Sequence, residues 1–156
     1  MNENALTYIE TFFMALADKT RLRLLNLMRD EEVCVCFFTE VLGNSQPKIS
    51  RHLAYLRNAG IVQARRDGKW MHYSLLKPQG EGRRKVFEEV LNWLDGQEDL
   101  RNDREKYKQV CCSPEMLIQI ARTPINFLSQ DDFDVSKGKY RNLEISAHNE
   151  LEEFLL

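Results

Sequence analysis

SQPKISRHLAYLRNAGIVQARRDGKWMHY, residues 45–73, divides at Gly60 into two halves of different periodicity. The first half reads as one short helix. Pro47 suits its first turn, where a missing N–H costs nothing. Ser45 is a better cap than Gln46, and Gly60 is a stop signal after Asn58 and Ala59. Ile49, Leu53 and Leu56 recur on one face at helical spacing. Lys48, Arg51, His52 and Tyr55 take the opposite face. A helix that buries aliphatics on one side and presents Lys, Arg, His and Tyr on the other suits a DNA major groove. The bland alternative is a surface helix with a solvated basic face.

The second half favours the groove. Residues 61–66 and 69–75 flank Asp67-Gly68, a strong two-residue hairpin signal. Arg65, Arg66 and Lys69 cluster at the tip of this hairpin. A helix followed by a hairpin with a basic tip is the recognition helix and wing of a winged helix-turn-helix, in which phosphate contacts position and base contacts specify. The candidate DNA-contacting residues are Ser45, Gln46, Lys48, Ser50, Arg51, His52 and Tyr55 on the helix, with Arg65, Arg66 and Lys69 on the wing.

Residues 33–42 read as a short helix closed by Gly43-Asn44, which completes the helix-turn-helix. Two helices precede it. Residues 6–17 carry the stripe Tyr8, Ile9, Phe12, Phe13 and Leu16. Residues 20–29 repeat Leu22, Leu25 and Met28, widened by Leu24 and Leu27. After a Pro- and Gly-containing loop at 77–82, residues 83–100 form a helix with Val86, Phe87, Val90, Leu91 and Leu94 on one stripe. Its charged continuation over 102–109 is interrupted before Pro114, which disfavours helix at Ser113. A short helix is expected over 114–122, and residues 125–156 form an acidic tail. The stripes of the first and fifth helices are expected to form a dimer interface; the alternative is that both cap the core. The expected fold is mainly α with a β-hairpin wing, a homodimeric winged helix-turn-helix. Residues 1–100 would bind DNA and dimerise, and 101–156 would be an extension.

Charge agrees with that division. The 156 residues carry a net charge of only −2. Residues 45–85 nonetheless hold ten Lys/Arg against Asp67 and Glu81, whereas residues 127–156 hold seven acids against three bases. Such asymmetry suggests a basic binding surface and a separate acidic tail. The start lacks the positive segment of a secretory signal, and no apolar run nears the ~18 residues that span a bilayer. A cytoplasmic protein without membrane contact is expected. Its four cysteines then argue for metal or redox chemistry over a disulfide framework. No phosphate loop, nucleophile elbow or zincin motif points to an enzyme.

The stretches DKTRLRLLNL (18–27), EVCVC (32–36), SQPKISRHLAYLRNAG (45–60) and DGKWMHYSL (67–75) together resemble the ArsR/SmtB family of metal-sensing repressors over roughly residues 5–100. The resemblance implies a homodimer that binds an inverted-repeat operator and is released by a metal or metalloid. It is nearest to arsenic-responsive members, whose pattern at this point is C-V-C-D-x-C. Here the stretch is Cys34-Val35-Cys36-Phe37-Phe38-Thr39, with Thr39 in the third thiol position and Phe37 in the acidic one. The C-terminal His and acidic ligands of zinc-sensing relatives find no counterpart, because none of His52, His72 and His148 lies in residues 83–100.

A trivalent arsenic centre is soft and takes thiolates, as cadmium and lead do. Cys34 and Cys36 lie about 200° apart on an ideal helix, so sharing one ion requires an irregular or unwound segment. An isolated cysteine is more often a small buried hydrophobe; two pairs, one inside a sensor motif, are not. Cys111 and Cys112 are expected to supply the donor missing at Thr39, from the same chain or a partner, although they could be unrelated to sensing. The sequence thus leads to a repressor released by arsenite or methylarsenite at Cys34, Cys36, Cys111 and Cys112, with no permanent cofactor. A thiol redox switch and a cadmium- or lead-type sensor are the alternatives.

Overall fold

Leu24, Leu25, Ile49, Leu53, Leu56 and Phe38 are shut off from solvent completely, and they come from three consecutive helices that pack around them. The computed structural model describes residues 3–115 with Ile118, and the short strands at 133–134 and 139–140. The elements run α1 (Glu3–Leu16), α2 (Lys19–Leu27), β1 (Val33–Cys34), α3 (Val35–Leu42), α4 (Gln46–Asn58), β2 (Val62–Asp67), β3 (Trp70–Leu75), α5 (Glu81–Asp95) and α6 (Glu98–Cys111). These belong to one compact unit, Met1–Ile125. In the second unit, Asn126–Leu156, β4 (Phe133–Asp134) pairs antiparallel with β5 (Lys139–Tyr140). This is a mainly helical winged helix-turn-helix: α3 and α4 form the helix-turn-helix, and β2–β3 the wing.

Local chemistry sets each boundary. Asp18 caps α2 by accepting from the Arg21 N–H at 2.8 Å. Gly43 ends α3 in the left-handed conformation, φ +66°, which favours glycine. Ser45 occupies the cap position of α4, but its hydroxyl makes no capping bond. The hairpin turn lies one residue later than the Asp67-Gly68 signal suggests. Asp67 pairs with Trp70, so Gly68 and Lys69 are the central residues, with Gly68 at φ +59° as a type II′ turn requires.

Two differences from the sequence reading change the order of the elements. The third helix starts at Val35, because Val33 and Cys34 are a strand paired with Tyr73 and His72 of β3. The sheet order is therefore β1-β3-β2. The helix expected over 83–100 stops at Asp95, and α6 begins after Gly96 and Gln97.

The break lets α6 fold back along α2 and α3. Arg23 Nε and Nη2 donate to Asp103 Oδ2 and Oδ1, both at 2.7 Å, a bidentate pair that fixes orientation. The buried Asn26 amide donates to the Leu100 carbonyl at 2.9 Å. Lys106 Nζ donates to the Val41 carbonyl at 3.1 Å, near the electronegative end of α3. The Tyr107 ring meets Phe37 edge-on, with centroids 5.7 Å apart. The helix expected over 114–122 lies outside the described residues apart from Pro114, Glu115 and the exposed Ile118, as does most of the acidic tail.

The two apolar stripes split between inside and outside. Phe12, Leu16, Phe87 and Leu94 are buried within the chain, and Phe12 meets Phe87 edge-on at 6.3 Å. Tyr8, Ile9, Phe13, Val86 and Trp93 stay exposed, Trp93 to 74%. Between them runs an apolar groove of about 380 Å³ whose walls include Phe13, Leu22, Val90 and Trp93. Among the described residues no helix is long and apolar enough to cross a membrane.

Candidate DNA interface and thiol site

Helix α4 is held by its apolar face. Ile49, Leu53 and Leu56 are completely buried, so the remaining faces are fixed in direction. Ser45, Arg51 and Tyr55 are exposed, and Gln46, Lys48 and Ser50 are half-buried along the same helix. His52 differs from the sequence reading. Its side chain is only 18% exposed, with Nδ1 3.5 Å from Asp18 Oδ1 and 3.5 Å from Arg21 Nη1. It is a packing residue between α4 and the start of α2 as much as a surface one. Burial holds its pKa below the ordinary value, against the pull of Asp18.

Arg21 is a residue that spacing did not reveal. It donates to the Ala15 carbonyl at 2.7 Å and the Met14 carbonyl at 2.8 Å, closing the end of α1. Its guanidinium also lies 4.2 Å from the centre of the Tyr55 ring, a cation–π contact that orients this exposed tyrosine.

On the wing, Arg65, Arg66 and Lys69 are all exposed. Arg65 is bound within the chain: its Nε lies 3.1 and 3.2 Å from the two Glu32 carboxylate oxygens and its Nη2 lies 2.5 Å from Oε1. The guanidinium holds the Glu32 carboxyl below the usual carboxylate range. Arg66 Nε donates to the Gly68 carbonyl at 3.1 Å, and Lys69 Nζ sits over the Trp70 ring at 4.9 Å. Glu32 thus holds a candidate wing residue, a partner that a search for basic side chains passes over.

The Cys34-Val35-Cys36 stretch begins two residues after Glu32. Cys34 is the residue before α3, with extended φ −69° and ψ 140°, and Cys36 is in the first turn. This geometry brings the sulfurs together without unwinding the helix: Cys36 Sγ–H donates to Cys34 Sγ at 2.9 Å. Of the two routes open to the pair, an irregular segment or an unwound helix, the structure has the first, since Cys34 lies in β1 and α3 begins at Val35. The hydrogen bond from Cys36 lowers the Cys34 pKa, and the same bond raises that of Cys36, with burial adding to the rise. Of the two, Cys34 is the easier to deprotonate and Cys36 the harder.

Cys111 and Cys112 form a second pair, 3.7 Å apart, at the end of α6. Tyr107 lies one turn before Cys111 and packs edge-on against Phe37. Burial raises its phenol pKa, and negative charge on Glu31, Cys111 and Cys34 adds to the rise. The thiols nevertheless stand as two pairs. Among the described residues no three His, Cys, Asp or Glu side chains are gathered to hold a metal ion.

Comparison with known proteins agrees with this architecture. The family profile described as "Bacterial regulatory protein, arsR family" matches residues 18–64, from the cap of α2 through the first half of β2. The arsenic resistance transcriptional regulator ArsR1 of Pseudomonas putida is 56% identical over 84 residues, covering 53% of this chain and 57% of that protein. The chain thus matches little more than half the length of that relative. HlyU of Vibrio cholerae is similar in structure, with a TM-score of 0.51 and 30% identity over 62% of this chain and all of that one. The homodimeric winged helix-turn-helix DNA-binding domain Mb0332 of Mycobacterium bovis gives a TM-score of 0.51 at 26% identity, over 61% of this chain and 88% of that one. With the helix-turn-helix, the wing and the adjoining Cys-x-Cys all inside or beside the matched region, the chain belongs to the arsR family of bacterial regulatory proteins.

Proposed function

We propose that this chain is a DNA-binding transcriptional repressor, not an enzyme, released from its operator when trivalent arsenic binds cysteine thiolates. The observation that carries the reading is the 2.9 Å approach of Cys34 and Cys36 at the start of the helix-turn-helix. The arsenic resistance regulator among its relatives supports the choice of ligand. Arsenite and methylarsenite are both inducers in this reading, and no permanent cofactor takes part.

The functional unit is a homodimer joined through the exposed remainder of the α1 and α5 stripes. Two-fold symmetry then sets two α4 helices against an inverted-repeat operator, with half-sites one helical turn or a multiple apart. Lys48, Arg51 and Tyr55 face the groove, with Ser45, Gln46 and Ser50 near the helix start. Arg66 and Lys69 reach the backbone. DNA binding and dimerisation belong to residues 1–100, and the extension from 101 supplies Cys111 and Cys112.

Arsenite favours three thiolates, and the third comes from Cys111 or Cys112. Among the described residues three thiols are not gathered, so an arsenite site built within one chain requires the end of α6 to move relative to α3. That displacement is the switch. It acts on α4 through the Gly43-Asn44 turn and on the wing through β1. A 99:1 reversal of DNA occupancy needs about 5.5 kcal/mol of differential binding, and operator DNA must weaken arsenic binding by the same factor.

Cysteine substitution tests this. Cys34→Ser and Cys36→Ser should each keep DNA binding and lose induction. The double change Cys111→Ser, Cys112→Ser should lose the arsenite response. Retention of a full arsenite response in all three would contradict the assignment. The second reading, a thiol redox switch, draws on the same sulfur proximity; it predicts release by oxidant without bound arsenic.

A further inference from the structure

Tyr55 lies seven residues after Lys48 and four after Arg51, on the same stripe of α4, and is 39% exposed. An exposed side chain ordinarily samples several rotamers. This one rests on a fixed platform. The central guanidinium carbon of Arg21, Cζ, lies 4.2 Å from the centre of the ring. Arg21 is itself held, because Nε donates to the Ala15 carbonyl at 2.7 Å and Nη2 to the Met14 carbonyl at 2.8 Å. Both carbonyls belong to the last turn of α1, where carbonyls have no partner further along the helix. The third nitrogen, Nη1, lies 3.5 Å from His52 Nδ1 and 4.0 Å from Asp18 Oδ2.

Arg21 is thus committed inside the chain, and its side chain is only 11% exposed. What it fixes is the tyrosine ring beside it. With one face on the guanidinium, Tyr55 has its hydroxyl left to act on DNA. Tyr55 is the tenth of the thirteen residues of α4. A recognition helix reads bases mainly from its N-terminal residues, so the far half approaches the strand that walls the groove. A tyrosine hydroxyl there donates to a phosphate oxygen. A ring already held loses less rotamer freedom on contact, and a neutral donor releases no counterion.

We propose that the Tyr55 hydroxyl holds a backbone phosphate at the groove wall, and that Arg21 is the positioning residue that aims it from the end of α1. This rests on the DNA-binding part of the reading above and is independent of the inducer.

The test uses the full chain and two labelled probes. One is a pool of random duplexes of about 30 base pairs, room for two half-sites. The other is the duplex that the unaltered chain selects from that pool. Tyr55→Phe keeps the ring on its platform and removes only the hydroxyl. It should weaken binding to both probes by the same factor, about 3–10-fold for one hydrogen bond, with an unchanged salt slope. Arg21→Lys keeps the charge but not the planar fork. It should weaken both probes to a similar extent, again without changing the slope, and the double variant should bind like either single one. If Arg21 serves the fold alone, the losses multiply in the double variant, and that result overturns the proposal. So does Tyr55→Phe binding like the unaltered chain, or a slope lowered by about one in Arg21→Lys, which puts Arg21 itself on a phosphate. Nuclear magnetic resonance of the chain with Arg21 intact tests the positioning even if Arg21→Lys folds poorly. The Arg21 Nε–H signal should be slow to exchange and shifted by the Tyr55 ring current, both free and on DNA. A ring-current shift absent from the free chain, or lost on DNA, overturns the proposal. An unaltered chain that binds neither probe overturns the DNA-binding reading with it.

Discussion

Cys34 and His72 are antiparallel partners across β1 and β3, and His72 pairs on its other side with Arg65 of β2. One row of the sheet thus runs from Cys34 to the wing residue Arg65. Glu32 closes the same row, binding Arg65 and lying 3.7 Å from His72 Nδ1. A displacement of Cys34 has a direct hydrogen-bonded route to the wing, in addition to the route through α3 and its turn to α4.

This row makes Glu32 a brake on the wing. Glu32→Gln should leave Arg65 able to meet a phosphate, raising affinity for all duplexes and steepening the salt dependence by about one unit of log–log slope. Lys69→Ala should lower affinity about uniformly and flatten that slope by about one unit. A salt titration of DNA binding by the two variants checks both signs.

Arg51 lies exposed on α4, opposite the buried Ile49 and Leu53. Arg51→Ala should cost about 1–3 kcal/mol on the operator and relax preference at one base pair. Competition binding with operator variants measures this. Unchanged affinity would move base reading to other residues of the helix.

The recognition helix was legible because Ile49, Leu53 and Leu56 repeat with helical spacing beside an uninterrupted polar face. The wing was legible from Asp67-Gly68, although the pairing of Asp67 with Trp70 shifts the turn by one residue. Two features were not legible. A two-residue strand such as Val33–Cys34 has no periodicity of its own and exists only because β3 lies beside it. The break at Gly96 left little local trace, since one glycine costs a helix only about 1 kcal/mol. What fixes the break is the docking of α6, through partners such as Arg23 and Asp103 that are 80 residues apart. A comparable distance in sequence hid the contact of Tyr107 with Phe37, and its negative charge kept Glu32 out of a search for basic side chains.

His52 gives the fold a pH dependence. Its folded pKa lies below the ordinary 6.5, so the unfolded chain takes up the proton first as pH falls. The stability contributed by neutral His52 is fully present above about 6.5 and is lost as pH drops through the lower folded value. Denaturant unfolding at pH 7.5 and pH 5.5 should show a larger loss of stability for the unaltered chain than for His52→Gln.

The exposed Phe13 and Trp93 beside the α1–α5 groove predict the effect of a charge there. Phe13 is 52% exposed in the single chain, so Phe13→Glu should leave the protomer folded. Burying that charge in a dimer is strongly unfavourable. Sedimentation should find a monomer at micromolar concentration, with weakened operator binding and an unchanged circular dichroism spectrum.

The central claim is that arsenic held by thiolates releases DNA. Its most direct test is one titration of the reduced, full-length chain bound to labelled operator DNA, with methylarsenite and then with arsenite. The ultraviolet thiolate–arsenic charge-transfer absorption and the DNA anisotropy are followed together. The account predicts that the absorption appears and the DNA leaves over the same range of ligand per protomer, without oxidant. DNA that stays bound after the absorption has saturated, or that leaves only on oxidation with no such absorption, would contradict it.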